Sequence, residues 1–252
     1  MLSKPYRSTG LSKDFTLPYG AFCAAILGEA AATTLYLDLS QGCRLRHLPD
    51  TFCSCLPHAP SAAAFIFSVP MSLTFDFHTH HLDAPARAAI INLPHEWMLR
   101  PELFVPRVGA LYSAGIHPWW TTDANETEQM MGHLPALLRH PQIVALGECG
   151  LDALRGAPLE TQEAVFIRQI ALAETCRKPV TLHIVRTYDR LLHLHKILKP
   201  TTVWTVHGFR GKPQLAQQLL AAGFDLSFGR LRNEAAYAAT PPERRHDETD
   251  DD

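Results

Sequence analysis

Residues 74–81 read Thr74-Phe75-Asp76-Phe77-His78-Thr79-His80-His81. A short apolar run, Leu73 to Phe77, leads into a His-x-His pair. Residues two apart on a strand point to one side. A strand continued through His80 therefore aims the His78 and His80 imidazoles at one point. Neutral imidazole is the commonest protein ligand of zinc-like metals. A solvated His-rich turn would carry the same letters, so the stretch decides nothing alone. Its weight comes from downstream, where four more strand-like runs end in a residue able to bind a metal or a phosphate.

From residue 72 onward, strand-like and helix-like segments alternate, the βα pattern of a parallel sheet. The strand-like runs are Leu73–Phe77, Ala88–Leu93, Ala110–Ile116, Ile143–Gly147, Pro179–Leu182, Thr202–Val206 and Phe224–Phe228. They are short and apolar with little alternation, as expected of strands covered on both faces. Helical patterns lie between them at Glu126–Leu138, Leu159–Cys176, Tyr188–Leu198 and Pro213–Ala222. The expected fold is α/β, a TIM-like (β/α) barrel, which about 250 residues can build on their own.

Parallel strands gather their C-terminal ends on one face, where (β/α)8 barrels carry their catalytic groups. The first run leads to His78 and His80, the third to His117 in Gly-Ile-His-Pro-Trp, and the fourth to Glu148 in Gly-Glu-Cys-Gly-Leu-Asp. The fifth ends at His183 and the sixth at His207. Singly, each has an ordinary explanation: a turn residue, a satisfied core histidine, a loop cap. Glu148 is the hardest to dismiss. A carboxylate directly after Val144-Ala145-Leu146 is costly in an apolar layer unless it is paired with a cation or metal. Their joint position at strand termini makes a shared metal site the simplest reconciliation.

The 252 residues are 46% hydrophobic and 19% charged, with a formal charge of −2. That suits a globular protein with a sizeable core and carries no basic nucleic-acid footprint. The six cysteines form no paired CxxC motifs, which excludes a zinc ribbon and calls for no oxidising compartment. No apolar run reaches the roughly 18 residues of a spanning helix. A cytoplasmic location is expected, with no membrane association and no protein partner implied. Residues 1–70 lack periodicity and turn logic. They read as an irregular N-terminal extension, either a misassigned start with Met71 as the initiator or a real extension packed on the catalytic domain at 71–252.

The set DFHTHH, GIHPWW, GECGLD, LHIVR and VHGFRG, in this order, resembles the TatD family of metal-dependent hydrolases. The resemblance spans roughly residues 72 to 252. It implies an amidohydrolase-type barrel with one or two divalent ions (Zn, Mn or Mg). It implies His78 and His80 on one metal, Glu148 bridging, and His183 and His207 on the second. Glu248-Thr249-Asp250 matches the family's last motif, making Asp250 a ligand and the base that orients the attacking water. His117 is expected at the substrate phosphate or bound water. Arg186 is a candidate phosphate contact, as are Arg210 and Lys212, although long cations are more often simply solvated. The implied activity is phosphodiester hydrolysis at DNA ends.

The C-terminus departs from the family pattern. Pro242-Glu243-Arg244-Arg245-His246-Asp247 is too polar for an ordinary barrel strand. The barrel is therefore expected to be incomplete at its C-terminal end, leaving sheet edges open, and Asp250 to belong equally well to an acidic tail. Two other functions remain: a different amidohydrolase-type hydrolase acting on an ester, amide or phosphotriester, and a truncated, inactive barrel. The absence of a His-Ala-Glu-like stretch argues against the deaminase branch.

Overall fold

The computed structural model describes residues 75–250. The expectations for residues 1–70 and for a start at Met71 fall outside the described residues. Among these, eight parallel strands close into a barrel in sequence order. They are β1 (Asp76–Thr79), β2 (Ala89–Asn92), β3 (Leu111–Ala114), β4 (Ile143–Asp152), β5 (Val180–Val185), β6 (Trp204–Val206), β7 (Asp225–Phe228) and β8 (Arg245–Asp247).

Four longer helices pack on the strands: α2 (Ala124–Leu138), α3 (Leu159–Cys176), α4 (Tyr188–Leu198) and α5 (Pro213–Ala222). Two short ones, α1 (His95–Leu99) and α6 (Glu234–Ala239), lie in stretches whose apolar period is too brief to read. Leu134 of α2, Phe166 and Ile170 of α3, Leu191 of α4 and Leu219 of α5 share one buried cluster with Leu146, Leu182, Trp204 and Leu226 of the strands. Asp123 opens α2, its carboxylate accepting from the N–H groups of Asn125 and Glu126.

The C-terminal expectation is overturned: the barrel is complete. Residues 245–247 pair with β7 through Leu226, Ser227 and Phe228, and Asp247 pairs with Asp76 of β1. Polarity did not prevent this because each side chain meets a specific partner. The Arg244 guanidinium donates to the Asp225 carboxylate and to the Phe224 carbonyl. The Arg245 guanidinium lies 4.2 Å over the Tyr237 ring and donates to the Tyr237 carbonyl at 3.1 Å. His246 stacks on Phe77, centroids 4.3 Å apart, and reaches Asp225 Oδ2 at 3.3 Å. A three-residue strand whose side chains are paired in this way needs no apolar face.

Among the described residues, no helix is long and apolar enough to cross a membrane.

Candidate metal centre

The strand ends carry the site, and nearby polar groups fix each end. Gln169 of α3, buried, accepts from the Ile116 N–H at 2.7 Å and donates to its carbonyl at 3.1 Å. That clamp sets the residue before His117. Asn92 at the end of β2 accepts the Glu148 N–H at 2.8 Å. β4 runs past Gly147, so Glu148 lies inside the strand rather than just beyond it. A register shift against β5 falls between Leu146 and Cys149. Gly147 sits there at φ +144°, and a Cβ on it would come within 2.6 Å of the Thr181 carbonyl oxygen. Only glycine fits that approach of β4 to β5.

Glu148 is the hub. Its Oε1 lies 2.7 Å from His207 Nε2, 2.8 Å from His183 Nδ1 and 3.1 Å from His117 Nε2. Its Oε2 lies 3.4 Å from Nε2 of both His78 and His80. Asp250 Oδ1 stands 3.1 Å from His80 Nε2 and 3.5 Å from His78 Nε2. Asp250 is therefore beside the His-x-His pair and not in a detached tail. Each oxygen of one carboxylate thus addresses a different group of imidazoles.

Burial alone would raise the Glu148 pKa. The His207 charge and hydrogen bonds from His117, His183 and His207 overcome it and hold the carboxylate well below its usual range. His207 moves up despite burial, since Glu148 and Glu248 face it. His80 is pushed up to about 9, first by its hydrogen bond to Asp250 and then by that to Glu148. At His117 burial wins and the pKa falls. Its Nδ1 accepts the Trp119 N–H at 3.1 Å, so the ring proton sits on Nε2 and points at Glu148. The carboxylates demand positive charge, which protons or a divalent cation can supply.

The donor set fits a divalent cation. His78 is wholly buried, yet neither of its ring nitrogens meets hydrogen-bond geometry, and His207 Nδ1 is likewise unpartnered. Buried polar atoms in that state call for an explanation. Four overlapping groups can each offer ligand atoms within 4.8 Å of one another: His78–Glu148–His207, His78–His80–Asp250, His117–Glu148–His183 and His207–Glu248–Asp250. Two donors about 2.1 Å from a tetrahedral ion lie roughly 3.4 Å apart, close to the 3.1–3.5 Å among His78, His80, Asp250 and Glu148 Oε2.

Arg186 does not join this cluster. It is exposed just past β5, with a left-handed backbone, and lines a surface hollow with Leu159, Thr187, Asp189, Arg190 and His193. Three carboxylates in the site, Glu248 and Asp152 buried and Asp76 half-buried, drew no role from the sequence. Glu248 accepts the Gly208 N–H at 2.6 Å and faces His207 Nδ1 at 3.6 Å. Asp152 reaches His183 Nε2 at 3.3 Å. Asp76 accepts from both the N–H and the hydroxyl of Thr249. All three lie in motifs already quoted, and a carboxylate inside a metal-ligand motif is the signal that could have found them.

A profile of the TatD-related DNase family matches residues 106–251. A Klebsiella pneumoniae protein named 3′-5′ ssDNA/RNA exonuclease TatD is 36% identical over 121 residues, covering 46% of this chain and 44% of its own. A Cronobacter turicensis protein of the same name is 33% identical over 174 residues, covering 64% of this chain and 65% of its own. The Escherichia coli K12 protein YjjV, named an uncharacterized metal-dependent hydrolase, is 37% identical over 125 residues, 47% of each chain. The chain thus spans about half the length of the curated relatives it matches. The crystal structure of YjjV, titled a TatD homolog, superposes with a TM-score of 0.56 at 27% identity, covering 71% of this chain and 79% of that one.

Proposed function

The chain belongs to the TatD-related DNase family, and from that premise we propose that it is a metal-dependent phosphodiesterase that removes nucleotides from the 3′ ends of single-stranded nucleic acid. Two relatives carry the name 3′-5′ ssDNA/RNA exonuclease. The observation that carries the reading is the divided loyalty of Glu148, with Oε2 toward His78 and His80 and Oε1 toward His183 and His207. A carboxylate used in this way suits a bridge between two ions. His78, His80 and Asp250 would hold one ion, His183 and His207 the other. Imidazole-rich donors favour Zn or Mn over Mg, which prefers oxygen ligands and keeps its waters.

When bound, such ions lower the pKa of water from 15.7 toward about 7 and offset the charge that builds on a phosphoryl oxygen. The protein's own groups do the rest. Asp250 stays ionised because the His78 and His80 imidazoles beside it outweigh its burial, so its carboxylate orients the attacking water and accepts its proton. His117, its Nε2 proton turned to Glu148, holds an oriented imidazole at the side of the pocket where a phosphate would enter. Asn92 and Gly147 keep Glu148 in place between the two histidine groups. Arg186, exposed beyond β5, is available to a phosphate farther along the strand.

The test is metal analysis of the purified protein, followed by metal-dependent release of mononucleotides from single-stranded DNA and RNA with a free 3′ end, for wild type and Glu148→Ala. Bound metal, and nuclease activity lost in the variant, supports the reading. Bound metal with hydrolysis only of esters or amides replaces it with another amidohydrolase-type activity. No metal and no hydrolysis leaves an inactive barrel.

A further inference from the structure

Beside the metal centre stands an aromatic side chain that the hydrolytic machinery does not use. Trp119, in the 3-10 turn that follows β3, is 41% exposed. Its ring meets the His117 ring at 4.7 Å and the His183 ring at 5.5 Å, edge to face. Both imidazoles belong to the group around Glu148 Oε1. The indole therefore forms part of the rim of the pocket that would receive a phosphate.

Its polar atom is already committed. Nε1–H donates to Asp152 Oδ2 at 2.6 Å, and that same oxygen lies 3.3 Å from His183 Nε2. One buried carboxylate thus fixes the indole relative to a histidine of the metal centre. With the N–H consumed, the ring offers solvent only its π surface. The Arg155 guanidinium covers that surface, 4.5 Å from the ring centroid. Arg155 is exposed, but its backbone is firmly held. Asp152 Oδ1 accepts the N–H groups of Leu154 and Arg155 at 2.7 and 3.2 Å. Buried Gln162 donates to the carbonyls of Asp152, Arg155 and Ala157. Gly156, at φ +88°, packs so closely that a Cβ would lie 2.2 Å from the Pro118 carbonyl oxygen. A loop this tightly bonded that presents an arginine over an exposed indole is a built surface, not a loose end.

Resting on the phosphodiesterase reading above, we propose that Trp119 and Arg155 form a nucleobase seat for the nucleotide whose phosphate enters the metal pocket. The base stacks on the indole where the guanidinium now lies, and Arg155 turns to the phosphate. Every nucleobase has a π face, and the committed Nε1–H leaves no hydrogen bond to read its edge. The seat accordingly recognises that a base is present rather than which base it is.

The test uses the metal-loaded full chain and two probes, dAMP and 2-deoxyribose 5-phosphate, with binding followed by calorimetry. In parallel, hydrolysis of an oligonucleotide ending in 3′ adenosine is compared with that of one ending in an abasic nucleotide. Wild type should prefer the base-bearing member of each pair by between about fivefold and a hundredfold, the range of stacking on one aromatic side chain. In Trp119→Leu the preference should collapse toward equality, while Trp119→Phe, which keeps a ring, retains most of it. Arg155→Ala should weaken both members of each pair together and leave the preference standing. Equal binding of the two probes by wild type overturns the seat, as does an undiminished preference in Trp119→Leu. Hydrolysis without a base preference sinks the seat alone. A Trp119-dependent preference for dAMP without hydrolysis of either strand sinks the phosphodiesterase reading and leaves the seat intact.

Discussion

Thr249 gives both of its donors to one carboxylate: its N–H reaches Asp76 Oδ1 at 3.1 Å and its hydroxyl reaches Oδ2 at 2.5 Å. Asp76 opens β1 two residues before His78, and Thr249 precedes Asp250. This clasp brings Asp250 to the His-x-His pair. Thr249→Val keeps the shape and the N–H but removes the hydroxyl. A hydrogen bond to a charged group is worth about 1.5–3 kcal/mol, so the variant should lose on the order of 2 kcal/mol in urea unfolding. It should also retain less metal than wild type after dialysis. Unchanged metal content would show that Asp250 needs no clasp.

Closure of the barrel rests on Asp225, buried in β7 and approached by Arg244 from the turn just before β8 and by His246 of β8 at 3.3 Å. These partners hold its carboxyl below the usual range against the opposing effect of burial. Asp225→Ala should leave the Arg244 guanidinium without its anion and the His246 ring without its partner. Removing one member of a buried pair costs about 3–5 kcal/mol. Arg244 keeps some access to water, so a loss of roughly 2–3 kcal/mol is expected by chemical denaturation, with faster hydrogen exchange along residues 245–247.

The eighth strand was also the element hardest to read. Seven strands were signalled by short apolar runs, although β1 continues to Thr79, β4 to Asp152 and β5 to Val185, past the ends of those runs, and α3, α4 and α5 begin and end where their apolar faces do. β8 carries no such signal. Its support comes from Asp225, Tyr237 and Phe77, and no local period encodes partners that distant. The convergence of His78, His80, Glu148, His183 and His207 was legible because parallel strands share one axial level toward their C-terminal ends, although Glu148 and His183 lie inside β4 and β5. Arg186 follows β5 immediately, yet it lines a separate surface hollow rather than the imidazole cluster. Trp119 and Asp152 were quoted without a role because their meaning lies in one contact across 33 residues.

Glu174 ties the end of α3 to the segment before β6. Its carboxylate accepts the N–H and hydroxyl groups of both Thr201 and Thr202, at 2.5 to 3.1 Å. Burial pushes its pKa up, but these donors outweigh burial and bring it to about 2. A carboxylate whose folded value is depressed stabilises the fold at pH above its unfolded value, about 4.3. That contribution fades as the pH falls through about 2. Wild type should therefore lose stability across that window. Glu174→Gln should start lower at neutral pH and lose less across it. Parallel curves for the two proteins in acid unfolding would contradict the assignment.

A divalent ion held by the folded barrel and not by the unfolded chain must stabilise it by mass action, about 2.7 kcal/mol at a hundredfold excess over Kd. The melting temperature should therefore rise on adding Zn or Mn and fall back with a chelator. Glu148→Gln keeps the volume of the side chain but removes the charge that faces all five imidazoles. Its midpoint should barely respond to metal, because neither histidine group retains the anion it shares. His80→Ala, which empties the more exposed position beside Asp250, should bind more weakly and still show a shift at higher metal concentration. Equal shifts in wild type and Glu148→Gln would mean that the ion sits elsewhere, and the bridging role would have to be abandoned.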